Sequence, residues 1–209
     1  MAKQEKLDFD YEEYFDSILE TTAILMWSTR HEAYTFAFYL NQLYNMNLER
    51  RDNIKIERKS GDLNCSIFHH QSNLKRYTYI LVDNGNVQPT AKKNATFFDK
   101  TLFIMGEEAR STAQRIYDEI QTGDSMRGGF SDPDRDEMLK SFINSGILEC
   151  ALFDFSDPET PFTSYFPETQ TSEALEKKRQ KFLKEQRLYV TDLFLAIDSI
   201  LPDYESVEL

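Results

Sequence analysis

The sequence predicts an α+β fold: a mainly antiparallel sheet of about six strands, helices packed on one face, and a long C-terminal helix. Three observations carry this reading. Short apolar runs, several rich in β-branched residues, recur between residues 17 and 155 and are bounded by turn residues. Two stretches, near 29–45 and 107–121, repeat apolar residues at helical spacing. A third helical stripe runs from about Ser172 to Leu201, with Leu175, Phe182, Tyr189, Leu193, Ile197 and Ile200 on one side. The chain therefore divides into an acidic N-terminal arm (1–16), an α+β core (17–155), a Pro- and aromatic-rich connection (156–171) and a C-terminal helix and tail (172–209).

Taken in order, Ile18–Trp27 reads as a largely buried strand, with Thr21, Thr22 and Ile24 favouring extended backbone. Thr29 and Glu32 have the spacing of a capping box, which predicts a helix starting at Thr29 and places His31 inside its first turn. Ala33, Phe36, Ala37, Leu40, Leu43 and Tyr44 form its apolar stripe, and Asn45 and Asn47 mark its end. Ile54 and Ile56 alternate with charge as a short strand, and Gly61-Asp62 reads as a turn. Cys65–His70 and Tyr77–Val82 are two further strands, and Asp83-Asn84-Gly85-Asn86 is turn chemistry, because Asn-Gly tolerates positive φ. Phe97–Met105 is a strand and Glu107–Gln121 a helix with Ala109, Ala113, Ile116, Tyr117 and Ile120 on one face. After the Gly-containing loop Thr122–Phe130, a short helix spans Ser131 to Asn144, with Pro133 in its first turn and Gly146 just past its end. Ile147–Phe155 is the last strand.

A chain of 209 residues buries roughly 70% of its unfolded surface, so it needs no disulfide or metal staple. The net charge of −12 opposes non-specific binding to nucleic acid or anionic lipid. Cys65 and Cys150 are the only cysteines, which suits a reducing compartment. The charged N-terminus has no apolar signal-peptide core, and no run has the length of a membrane span. The expectation is a cytoplasmic protein.

Residues Phe36 to Ile56, FAFYLNQLYNMNLERRDNIKI, resemble the opening helix and strand of the IPExxxVDY family, small proteins of the Bacteroidetes. Leu40-Asn41, Leu48, Arg50, Asp52 and Ile54 carry the likeness, and Phe98-Asp99 leading into Leu102-Phe103-Ile104 stands where that family's VDY strand falls. Lys92-Lys93-Asn94 replaces the IPE triplet and Lys100 replaces the tyrosine. The resemblance spans about residues 8–155 and implies an element order and a bacterial cytoplasmic setting. It implies no catalytic residue.

Few residues invite chemistry. Cys65 and His69 share one strand face but stand about 13 Å apart along it, too far to share one ion without a bulge, and His70 faces the other way. Asp132-Pro133-Asp134-Arg135-Asp136 starts like a calcium loop, yet Glu137 and Ile143 occupy the positions that need Gly and Glu, so helix capping explains the acids better. No nucleophile elbow, phosphate loop or dinucleotide fingerprint is present. The basic cluster Lys177, Lys178, Arg179, Lys181, Lys184 and Arg187 reads as a solvated helix face.

These readings lead to a non-catalytic adaptor with no cofactor and no metal site, which engages a protein partner or itself. The expected partner-binding residues are Phe162, Tyr165, Phe166, Tyr189, Leu193 and Ile197, because buried aromatics dominate interface energy. Two rival readings are an acidic decoy that mimics nucleic acid, and a small enzyme using Cys65 or a carboxylate pair.

Overall fold

A computed structural model of the chain describes residues 21–56, 62–71, 77–84, 98–125, 132–153 and 162–164, together with 193, 196 and 197. The acidic arm, the turn at Gly85-Asn86, the loop 126–130, the rest of the connection 156–171 and the basic cluster 177–187 lie outside the described residues.

Among the described residues, seven strands form one antiparallel sheet: β1 (Thr22–Thr29), β2 (Glu49–Ile56), β3 (Leu63–Gln71), β4 (Thr78–Asp83), β5 (Lys100–Met105), β6 (Ile147–Phe153) and β7 (Phe162–Ser164). Their order is β2-β3-β4-β5-β1-β6-β7. The seventh strand is short and falls in the stretch read from sequence as a connection. It pairs with the end of β6, Leu152 opposite Thr163.

The helices fully within the described residues are α1 (Ala33–Tyr44), α2 (Ala109–Thr122) and α3 (Pro133–Gly146). All three pack on one sheet face. There Leu25, Trp27, Phe68, Leu81, Leu102, Ile104 and Leu152 meet Phe36, Leu40, Leu43, Ala113, Ile116 and Phe142 in one buried cluster. Trp27 is fully buried and meets Phe36 edge-on at 5.1 Å.

The other face is also covered. Ile24, Met26, Cys65, Ile67, Ile80, Val82, Phe103 and Phe153 form a second buried cluster that includes Leu193 and Ile197. Burial on both sides explains why β1 reads as an unbroken apolar run (Ala23 to Trp27) instead of alternating with polar residues.

The capping box at Thr29 does not form. Thr29 ends β1, and its hydroxyl accepts from His31 N–H (3.0 Å) while donating to the Gly146 carbonyl (3.1 Å). Its own N–H donates to Asp99 Oδ1 at 2.8 Å. Asp99, just before β5, and Gly146, at the end of α3, thus take the groups a local cap would use, and α1 starts at Ala33 with no side-chain cap on Glu32. Asn45 ends α1 in the left-handed region, φ 54°. The Asn41 amide then clamps the turn into β2, accepting from Leu48 N–H at 2.8 Å and donating to the Leu48 carbonyl at 3.3 Å.

Helix α3 starts as its acids suggest: the Asp132 carboxylate accepts from Arg135 N–H at 3.3 Å, and Pro133 stands in the first turn. Gly146 is its last residue, not the one beyond. The need for glycine there is space: a Cβ would lie 2.5 Å from the His31 ring. Gly123 plays the conformational role instead, ending α2 at φ 71°.

Candidate interaction surface

Helix α1, Ala33-Tyr34-Thr35-Phe36-Ala37-Phe38-Tyr39-Leu40-Asn41-Gln42-Leu43-Tyr44, contains no charged residue, in a chain that is 29% Asp, Glu, Lys and Arg. Its inner face (Phe36, Ala37, Leu40, Leu43, Tyr44) is buried on the sheet. Its outer face is where a globular protein normally puts charge. Here that face carries Tyr34, 67% exposed, and Phe38, 54% exposed, one turn apart. Thr35 and Gln42 continue the exposed surface.

The two rings are held differently. Tyr34 leans edge-on against the buried Phe68 of β3 at 5.2 Å, and Arg50 stacks its guanidinium over the same Phe68 at 5.5 Å. Phe38 touches Tyr39 edge-on at 5.9 Å. Tyr39 in turn packs on Phe142 of α3 at 4.9 Å. The outer face of α1 is therefore a presented platform on a rigid base. A third exposed apolar side chain, Leu148 at 58%, stands where the pairing of β1 with β6 shifts register at Ser28/Thr29. A bulge of this kind re-aims a side chain outward.

Two buried cations are committed to carboxylates. Lys100 of β5 is 2% exposed, and its ammonium donates to Asp83 Oδ1 at 2.9 Å and Asp99 Oδ2 at 2.6 Å. Cross-strand pairing sets this contact, since Asp83 stands opposite Lys100. Arg135 donates to the fully buried Glu119 at 2.6 Å and to the Leu43 carbonyl at 3.1 Å. It also lies over the Tyr44 ring at 5.6 Å. Burial, then the Glu119 charge, pushes the Tyr44 hydroxyl far up, so it stays neutral. Both are ion-pair clusters that tie helices and strands together.

His31 precedes α1 rather than lying within it. Its Nε2 is 2.9 Å from the Phe142 carbonyl near the end of α3, and its ring stacks on Phe142 at 5.4 Å. His69 and His70 point to opposite faces as the strand period requires, and His70 stacks on Tyr79 at 5.7 Å. Burial, followed by Arg51 and His70, lowers the His69 pKa. Both thiols are buried, Cys65 at 0% and Cys150 at 2%. Among the described residues no group of three or more His, Cys, Asp or Glu side chains is placed to hold a metal ion, and no helix is long and apolar enough to cross a membrane.

The partner residues expected from sequence divide into two groups. Leu193 and Ile197 are corrected: they are 0% and 2% exposed and belong to the second core cluster, so they face the sheet of their own chain. The reason is the bare second face, which needs an apolar cover. Phe162 contributes backbone to β7, while Tyr165, Phe166, Tyr189 and the Phe162 side chain lie outside the described residues. The sequence reading missed Tyr34 and Phe38. Their signal was available: two aromatics at i and i+4, opposite the buried stripe of a helix without charge.

No family model matches the chain, and no curated protein or solved structure matches it either.

Proposed function

We propose that this chain is a non-catalytic protein-binding domain that docks a partner on the outer face of α1. The observation that carries the reading is the exposed Tyr34–Phe38 pair on a helix with no charged residue. Exposing two large rings has a solvation cost that covering them would recover, and aromatic anchors of this kind dominate interface energetics. The rings also stand on a packed helix, so little order is lost on docking. A reducing, cytoplasmic setting suits the two buried thiols. Tyr165, Phe166 and Tyr189 stay within the proposal as further anchors. The likeness to the IPExxxVDY family adds no activity to it.

The test is a photo-cross-linking amino acid in place of Phe38 in the full chain, irradiated in cells of the native host. The expected result is a discrete protein adduct that a second substitution, Tyr34→Asp, suppresses at least about tenfold, or about 1.4 kcal/mol. Absence of any adduct at Phe38, or adducts no more frequent there than at an exposed control position such as Glu137, overturns the reading.

A further inference from the structure

We infer that the occupant of this face is a second copy of the same chain, with α1 packed against α1 about a two-fold axis through Tyr34 and Phe38. The inference rests on the docking reading above and names its partner.

Charge is the argument. Each copy carries −12, so two copies repel, and the repulsion is worst where like charges are pressed together. A two-fold contact sets the same patch against itself, so any charge near the axis meets its own kind. Helix α1 offers twelve consecutive residues without one charge. Its exposed groups are each self-compatible: rings pair edge-to-face with rings, and the Thr35 hydroxyl and Gln42 amide are donors and acceptors at once. A partner of different sequence selected by a strongly acidic chain would be expected to bring basic groups, and α1 holds no acid to receive them.

Area sets the strength. Tyr34 and Phe38 are 67% and 54% exposed, and rings bury about 150–250 Å² each when covered. The pair then supplies roughly a third of the ~800 Å² per partner of a stable complex. The contact is consequently weak and reversible. Salt should strengthen it by screening the mutual repulsion, the opposite of a contact made by opposite charges.

Sedimentation of the full chain from roughly 10 µM to roughly 1 mM, at low and high salt, tests this. The expected result is a monomer–dimer equilibrium that tightens several-fold with salt and weakens at least about tenfold in Phe38→Asp. Trp27 fluorescence checks that the variant is folded. Because both native cysteines are buried, Gln42→Cys places a single accessible thiol beside the axis, and mild oxidation should yield a covalent dimer. A monomer throughout the range, a dimer unchanged by Phe38→Asp, or a dimer loosened by salt overturns the inference. In the photo-cross-linking experiment an adduct of twice the chain mass supports self-docking. An adduct with a different protein alone removes the second copy while leaving the docking reading intact, whereas no adduct removes both.

Discussion

Glu119 is fully buried, and its carboxylate accepts from the Arg135 guanidinium at 2.6 Å. Truncating one partner of such a pair strands the other charge out of water. Arg135→Ala should therefore cost about 3–5 kcal/mol, read from urea unfolding by the fluorescence of the lone Trp27. Gly146 makes a steric prediction of a different kind. A methyl there meets the His31 ring at 2.5 Å, and that ring is held between Phe142 and Tyr39. Gly146→Ala should cost about 1–3 kcal/mol, and the double variant with His31→Ala should recover part of it, the coupling being the test. Titration follows from burial as well. His69 has a folded pKa below its ordinary 6.5, chiefly because it is buried. The unfolded chain thus binds a proton that the folded site resists. This contribution to stability is complete above pH 6.5 and is lost as pH falls below it. His69→Gln should flatten that limb of the urea midpoint against pH.

At the scale of the element, α1 separates two roles within three residues. Phe36 is fully buried and Phe38 is 54% exposed. Phe38→Asp should leave stability within about 0.5 kcal/mol while abolishing docking, whereas Phe36→Asp should prevent folding by placing a charge in the core. Circular dichroism melts of the two variants separate these outcomes. Among the described residues β2 is an edge strand, and it shows how an edge is kept unavailable. It carries Glu49, Arg51, Asp52 and Lys55 outward, and its pairing with β3 shifts register between Arg51 and Ile54. Charge and a bulge both discourage another strand from adding there, which leaves the helix face as the better docking element.

Across the whole molecule, the sheet is sandwiched. Helices α1 to α3 cover one face, and a segment containing the helical residues Leu193, Ala196 and Ile197 packs on the other. Positions 193, 196 and 197 are the i, i+3 and i+4 pattern of one helical face. Leu193→Ala should therefore destabilise the entire domain by about 2–5 kcal/mol, with one cooperative transition in Trp27 fluorescence although Trp27 lies on the opposite sheet face. Two separate transitions would show that the second layer folds independently. Both thiols are sealed in these layers, and burial with Glu149 nearby pushes the Cys150 thiol well up. Neither cysteine should react with a thiol reagent until urea unfolds the chain.

Periodicity determined the α+β class and the apolar faces of α1 and α2, because local spacing decides which side of an element avoids water, and the acids and Pro133 near residue 132 marked where α3 begins. The stretch Ala23 to Trp27 was already apolar throughout, which is what a strand buried on both sides requires. Tertiary structure decided the rest. Thr29 had the residues of a helix cap, yet Asp99, just before β5 and far away in sequence, and Gly146, at the end of α3, claimed its groups. Leu193 and Ile197 were legible as one helical face, but only the packed sheet shows that this face turns inward. Tyr34 and Phe38 became a candidate site by the reverse logic: the sheet took the inner side of α1, and among the described residues no layer covers the rings left over. Spacing tells which residues share a face, while the competition among all faces for a limited interior tells which of them stays in water.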